Sequence, residues 1–206
     1  MTSSPAEAAH KRNRIALAGG EHPLVMFFRG FLKHPVMVGS IIPSSGKLID
    51  KMLGRVDWAN TKLFVEYGPG VGTFCSHILE RMAPDATFIA IDTNPDFVGY
   101  LRRRITDSRF VAVEGSAADV REIIAHHGFE HADYILSGLP FSTLPAGLGP
   151  RIAAETAAAL RTGGAFLVYQ FSPKVRDFLD PEFERIDHDF EMWNIPPAQL
   201  YWAWKD

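Results

Sequence analysis

The sequence predicts an α/β fold: a mostly parallel, seven-stranded sheet with helices on both faces and an antiparallel strand pair at the C-terminus. Three observations predict it. The hydrophobic run Leu63–Tyr67 enters a glycine turn, Gly68-Pro69-Gly70-Val71-Gly72, which opens into a helix from Phe74 to Met82. Strand-like and helix-like segments then alternate, the pattern of a parallel sheet joined by crossover helices. Phe183–Asp187 and Gln199–Lys205 read as a closing antiparallel pair.

Each element has its own local signal. Thr87–Asp92 is a second hydrophobic strand. The helix after it is capped by Asn94, with Pro95 at the first helical position, and runs to Thr106. Arg109–Glu114 is strand three, and a helix spans Asp119–His127. Ala132–Ser137 is strand four. The helix Gly149–Leu160 passes through Arg161-Thr162-Gly163-Gly164 into strand five, Ala165–Phe171, and Pro173–Leu179 forms a short helix. Ahead of the glycine turn, Leu24, Phe27, Phe28, Phe31 and Leu32 recur at helical spacing, and a second helix covers Gly46–Leu53. With 206 residues the chain reads as one domain: a flexible leader over 1–12, a helical extension over 13–55 that serves as a lid or as a membrane contact, and a core over 56–206.

Composition narrows the function classes. One cysteine, Cys75, excludes an internal disulfide and a cysteine-rich zinc site. Early in the helix after the glycines, it reads as a small buried or ligand-adjacent residue and not as a nucleophile. The eight histidines show no metal-ligand spacing, so no metal is expected. The N-terminus lacks a signal peptide's apolar core, and no run reaches the roughly 18 apolar residues of a membrane span. A cytoplasmic location is therefore expected. The charge is unevenly spread. Residues 1–55 carry eight Lys/Arg against three Asp/Glu, a net of +5, within an overall −3. That basic, aromatic front end suits an anionic surface, membrane or nucleic acid.

The glycine turn indicates a nucleotide-like ligand. Glycine at 68, 70 and 72 permits unusual backbone angles and leaves room for close approach, as in the first turn of a Rossmann-like unit. The dinucleotide fingerprint fits only imperfectly, because its third glycine is replaced by Thr73, and no Gly-Lys-Ser/Thr follows to make a phosphate-binding loop. Asp92, ending strand two 20 residues after Gly72, is placed to bind ribose hydroxyls. Glu66 puts a carboxylate beside the turn, which suits a ligand with positive charge.

The run Glu66-x-Gly68-x-Gly70-x-Gly72 resembles the first motif of class I S-adenosylmethionine (SAM) methyltransferases, a likeness extending from about residue 60 to the C-terminus. The resemblance implies SAM as cofactor, with S-adenosylhomocysteine as product. It implies cofactor contacts from Glu66, Tyr67, Gly68, Gly70, Gly72 and Thr73 at the turn, and from Asp92 and Thr93 after strand two. Gly115-Ser116-Ala117 falls in the adenine-contact region, with Ser116 and Ala117 the expected contacts. Many relatives carry an acid there, whereas this chain has Asp119 slightly later.

Ser137-Gly138-Leu139-Pro140-Phe141 closes strand four. It resembles the N/D/S-x-x-P-F/Y motif of amine-directed methyltransferases, including ribosomal RNA adenine dimethylases. Its backbone carbonyls and the Ser137 hydroxyl are expected to orient an amine nitrogen, and Phe141 to pack on substrate. Ser137 also counts among the cofactor contacts. Tyr67, Glu114 and His188 are candidate bases without a decisive signal for any of them.

Residues 24–55, with Val38-Gly39-Ser40-Ile41 and Pro43-Ser44-Ser45, and Asn194-Ile195-Pro196-Pro197-Ala198 near the end, resemble the bacterial phospholipid N-methyltransferases. That likeness implies successive methylation of phosphatidylethanolamine towards phosphatidylcholine by an enzyme peripheral to the inner face of the cytoplasmic membrane. Phe27, Phe28, Arg29, Phe31 and Lys33 are the expected lipid contacts, each cation contributing on the order of 1 kcal/mol at an anionic surface. Ser44, Ser45 and Lys47, at a helix start, are placed to hold the SAM carboxylate or a lipid phosphate. Two alternatives stand beside this reading: an RNA adenine N6-methyltransferase, disfavoured by the acidic body of the chain, and a non-catalytic SAM-binding protein.

Overall fold

β1 (Leu63–Tyr67) is buried at every position, as a central strand covered on both faces must be. The computed structural model describes residues 46–170, 172–192 and 197–206, all within one compact unit, Ile41–Asp206. The aromatic-basic segment with Phe27, Phe28, Arg29, Phe31 and Lys33 lies outside the described residues, as do Ser44, Ser45, Phe171 and 193–196.

Six further strands complete the sheet: β2 (Thr87–Asp92), β3 (Phe110–Glu114), β4 (Ala132–Ser137), β5 (Leu160–Gln170), β6 (Arg185–Glu191) and β7 (Ala198–Trp204). The order is β3-β2-β1-β4-β5-β7-β6. Strands β1 to β5 run parallel. β7 is antiparallel to both neighbours. From β1 the chain steps outward to β2 and β3, then returns to β4 on the other side. The carboxyl ends of β1 and β4 thus form the topological switch point, where open α/β sheets bind ligands.

The helices are α1 (46–53), α2 (Cys75–Arg81), α3 (Pro95–Arg104), α4 (Val120–His126), α5 (Leu148–Ala159) and α6 (Arg176–Leu179). α1, α2 and α3 cover one face of the sheet, with Ile49, Met52, Ile78 and Leu101 in its core. α4, α5 and α6 cover the other, with Val120, Ile124, Ile152 and Leu179. Helix α1, grouped by sequence with the N-terminal extension, is built into this core. Its Met52 carbonyl accepts the Trp202 indole N–H at 3.0 Å. Just beyond it, the Arg55 guanidinium lies 4.1 Å over the Trp202 ring and pairs with Asp187 at 2.8 Å.

β1, β2 and β4 keep their predicted bounds. β5 starts at Leu160, five residues before the predicted Ala165. Its register jumps between Ala132↔Leu160 and Tyr134↔Ala165, so 161–164 bulge out of the ladder. Asp133 anchors the bulge, pairing with Arg161 and accepting the Lys62 and Leu63 backbone N–H groups at 2.7 and 2.8 Å. The predicted strand over Phe183–Asp187 sits further along, because Phe183 is buried in the core ahead of the strand. The helix predicted over Asp119–His127 is α4, Val120–His126, entered through a 3-10 turn at Ala117–Asp119.

Candidate active site

The glycine turn is held open by backbone bonds. Gly68 N–H donates to Ile91 O at 2.9 Å, and Gly72 N–H to Pro69 O at 2.9 Å. Gly68, Gly70 and Gly72 all have positive φ, at 63°, 56° and 81°, the left-handed region in which a Cβ is strained. Their surroundings differ. A Cβ at 68 would lie 2.9 Å from the Leu139 side chain, and one at 72 would lie 2.8 Å from Leu101. A Cβ at 70 would meet nothing within 4 Å. The room above Gly70 is open, where a ligand can approach the backbone.

Two carboxylates flank that room. Glu66 points to the α1–α2–α3 face of β1 and is 2% exposed. Its one partner among the described residues is the Cys75 thiol, at 3.5 Å. Burial pushes the Glu66 carboxyl up to about 8, with the nearby Asp92 charge adding to the rise and the thiol opposing it. Burial, with Glu66 beside it, also raises the Cys75 thiol, so the thiol is a neutral packing group and not a nucleophile. Asp92, at the end of β2, accepts Asn94 N–H at 2.9 Å and Gly70 N–H at 3.4 Å. Its carboxyl is raised by burial, offset in part by those backbone N–H groups.

A buried carboxylate with one weak partner, an open glycine backbone and a second carboxylate at the ribose position fit a ligand with a cationic end and a sugar. The donor set suits SAM: Glu66 towards the methionine portion, Gly70 for close approach, Asp92 for the ribose hydroxyls. Thr73 and Thr93 are exposed beside the turn and after β2. Ser116 stands two residues beyond β3 on the same edge, where its hydroxyl caps the 3-10 turn by accepting Ala118 N–H at 3.1 Å; Ala117 is buried below it. Tyr67 is placed differently. Alternation along β1 turns its side chain to the opposite face, where its hydroxyl bonds Thr156 at 3.1 Å. At the turn it offers only backbone, its carbonyl accepting Gly138 N–H at 3.3 Å.

The β4 motif adjoins the glycine turn. Ser137 is fully buried, and its hydroxyl accepts Leu139 N–H at 3.2 Å. Leu139 is half-exposed, and its side chain packs over Gly68. Phe141 does not line this edge. It is 2% exposed and packs on Phe166 and Phe178 in the opposite core. Of the candidate bases, His188 is exposed on the outer strand β6 and bonds Gln199 at 2.6 Å. Glu114 is exposed at the end of β3.

Two residues beside the motif were missed by sequence. Gln170 ends β5 and donates its side-chain N–H to Leu139 O, fixing the motif loop. Tyr169 stacks on Phe74, with ring centroids 5.1 Å apart. The available signal was a polar Tyr-Gln pair ending a hydrophobic strand, the same grammar that marks Glu66 and Asp92.

Comparison with known proteins agrees with this geometry. A family model described as a methyltransferase domain matches residues 64–164. The ornithine lipid N-methyltransferase of Singulisphaera acidiphila is 32% identical over 180 residues, spanning 86% of this chain and 94% of that protein. Among solved structures, precorrin-6y C5,15-methyltransferase from Geobacter metallireducens GS-15 superposes with a TM-score of 0.61 at 15% identity, over 78% of this chain and 88% of that one. The N-methyltransferase NodS from Bradyrhizobium japonicum WM9 has a TM-score of 0.61 at 13% identity, over 80% and 98%. The 16S rRNA N2 G1207 methyltransferase RsmC of T. thermophilus, in complex with AdoMet and guanosine, has a TM-score of 0.59 at 19%, over 82% and 44%. At these identities the structural likenesses show the fold; the family model and the 32% relative show the family, and SAM is the cofactor the site takes. The chain belongs to the class I SAM-dependent methyltransferases.

Proposed function

We propose that this methyltransferase methylates the primary amine of a membrane aminolipid, working from the cytoplasm at the inner membrane surface. The observation that carries the reading is the relative named for ornithine lipid N-methylation, aligned over 86% of this chain. The amine-type motif Ser137–Phe141 beside the glycine turn supports it. Ornithine and ethanolamine headgroups both end in a primary amine on a short flexible arm. The relative favours ornithine lipid. The sequence motifs of residues 24–55 favour phosphatidylethanolamine, the second reading. The basic residues ahead of position 55 suit an anionic bilayer, and no helix among the described residues is long and apolar enough to cross one.

Bound SAM supplies an electrophilic methyl group on a cationic sulfonium. This chain's residues supply placement and dryness. The buried Glu66 carboxylate offers charge to the cationic cofactor, and Asp92 offers acceptors to its ribose. At the end of β4, Ser137 and the loop fastened by Gln170 border the place where the amine is held. A lipid amine arrives mainly as ammonium and must shed a proton before reacting. Burial favours the neutral form, and alignment with exclusion of water is a large share of such catalysis.

The test uses methyl-labelled SAM and the full chain. Vesicles contain ornithine lipid, phosphatidylethanolamine or phosphatidylcholine alone, and a further sample contains RNA. Label is expected in ornithine lipid first and phosphatidylethanolamine second. Label in RNA with none in either aminolipid would overturn the reading, and SAM binding with transfer to nothing would make the protein a non-catalytic SAM binder.

A further inference from the structure

Tyr169 sits where β5 meets the carboxyl end of β4. The parallel register pairs Ser137 with Val168, so Gly138 and Tyr169 follow side by side, on the face that carries Glu66. Gly138 has no side chain, and the phenol takes the room this leaves. A Cβ at 138 would overlap the Tyr169 hydroxyl and lie 2.8 Å from its Cζ. Stacking on Phe74, at an interplanar angle of 27°, holds the ring there.

The polar side chains of β4 and β5 at this edge are otherwise engaged. Ser137 takes Leu139 N–H, and Gln170 gives to Leu139 O. The Tyr169 hydroxyl has no hydrogen-bond partner among the described residues, although the ring is half-buried. A phenol so placed keeps both its donor and its acceptor capacity for whatever enters at this edge. Desolvation, with the Glu66 carboxylate and Cys75 thiol nearby, holds the phenol above its ordinary range. It therefore stays protonated and acts as a hydrogen-bonding group, not as a base.

We propose that the Tyr169 oxygen is the acceptor-orienting contact of the site, taking one N–H of the substrate amine over Gly138 and so turning the nitrogen lone pair towards the methyl donor. The inference rests on the aminolipid reading and deepens it, because it ties rate to the number of N–H groups on the reacting nitrogen. A neutral primary amine has two, a monomethylated amine one, and a dimethylated amine none. Tyr169 therefore helps the first methylation most and the third not at all.

The experiment compares the parent enzyme with Tyr169→Phe, which removes only the unpartnered oxygen. Label transfer from SAM is measured to vesicles holding the unmethylated, monomethyl and dimethyl forms of the aminolipid that the parent methylates. SAM affinity and thermal midpoint are read in parallel. For the unmethylated lipid, kcat is expected to fall about 10- to 100-fold, the loss of one good hydrogen bond in a dry site. SAM affinity should stay within about twofold and the midpoint should not drop. The loss should shrink with each methyl already present. An unchanged kcat, or equal loss on every acceptor together with weakened SAM binding, would overturn the proposal and leave Tyr169 a packing residue. No transfer by the parent enzyme to any aminolipid would remove the aminolipid reading, and this inference with it.

Discussion

Replacing Glu66 with Gln tests the electrostatics of the cofactor site most directly. The folded, cofactor-free protein holds a proton on Glu66 up to about pH 8, against an ordinary value of 4.5. The unfolded chain releases that proton near 4.5. The folded state therefore binds more protons between these limits, and stability falls as pH rises from 4.5 to 8, then levels off. At about 1.36 kcal/mol per pH unit the loss is on the order of 5 kcal/mol. For a chain of this size, about 2–4 °C per kcal/mol converts that to roughly 10 °C or more in thermal midpoint. Glu66→Gln keeps shape and the acceptor for Cys75 while abolishing the titration. Melting both proteins, stripped of cofactor, at pH 5, 6, 7 and 8 cancels every other titrating group in the difference. The variant is expected to gain on the parent steadily across this range. The gain has a functional cost, since the cationic cofactor favours the ionised carboxylate. At pH 7 the parent should release close to one proton on binding SAM, read by calorimetry in buffers of different ionisation heat. The variant should release none and bind about 10- to 100-fold more weakly. Melting curves that stay parallel from pH 5 to 8, or unaltered SAM affinity in Glu66→Gln, would refute the reasoning.

Other substitutions separate the roles of neighbouring residues. Gly70→Ala faces open space, so it should cost only about 1–2 kcal/mol of stability for its positive φ but should abolish most SAM binding. Gly68→Ala also meets Leu139 at 2.9 Å, and its thermal midpoint should fall further than that of Gly70→Ala. Asp92→Asn loses the charged acceptor for the ribose while its backbone contacts persist, and equilibrium binding should show SAM about tenfold weaker or more with little change in midpoint. Asp133→Asn loosens three contacts at the amino edge of the sheet; denaturant melts should show a loss of about 2–3 kcal/mol, with SAM affinity unchanged.

The parts legible in the sequence are those where one residue type leaves the chain little choice. β1, β2 and β4 appear with their predicted ends because each is a mostly apolar run, buried on both faces and closed by a polar residue or a glycine turn. β5 and β6 were less legible. The Arg161–Gly164 bulge is held by Asp133, a partner nearly thirty positions away in sequence, and an outer strand shows little alternation. Side-chain direction separates Tyr67 and Phe141 from their motif neighbours. Adjacent residues on a strand face opposite ways, so Glu66 at the ligand places the Tyr67 ring in the far core. Phe141 begins a 3-10 turn that carries it to the same far side. Tyr169 is not legible in the sequence because its placement depends on the side chain that Gly138, at the end of another strand, lacks.

The antiparallel strand β7 lies between β5 and β6, not at the margin of the sheet. Strand β7 is therefore required by two neighbours that precede it in sequence, and its Trp202 holds Met52 across 150 positions. Pairings this distant are the slowest to form. A growing chain carries β5 with an open edge and α1 without its indole contact until residues 198–204 arrive. Chains ending at residue 197 should thus be cut readily by protease within 46–53, whereas the full chain resists there. Completion of the core therefore waits for residues 198–204, so a product cut short of them offers neither a finished sheet nor a docked α1.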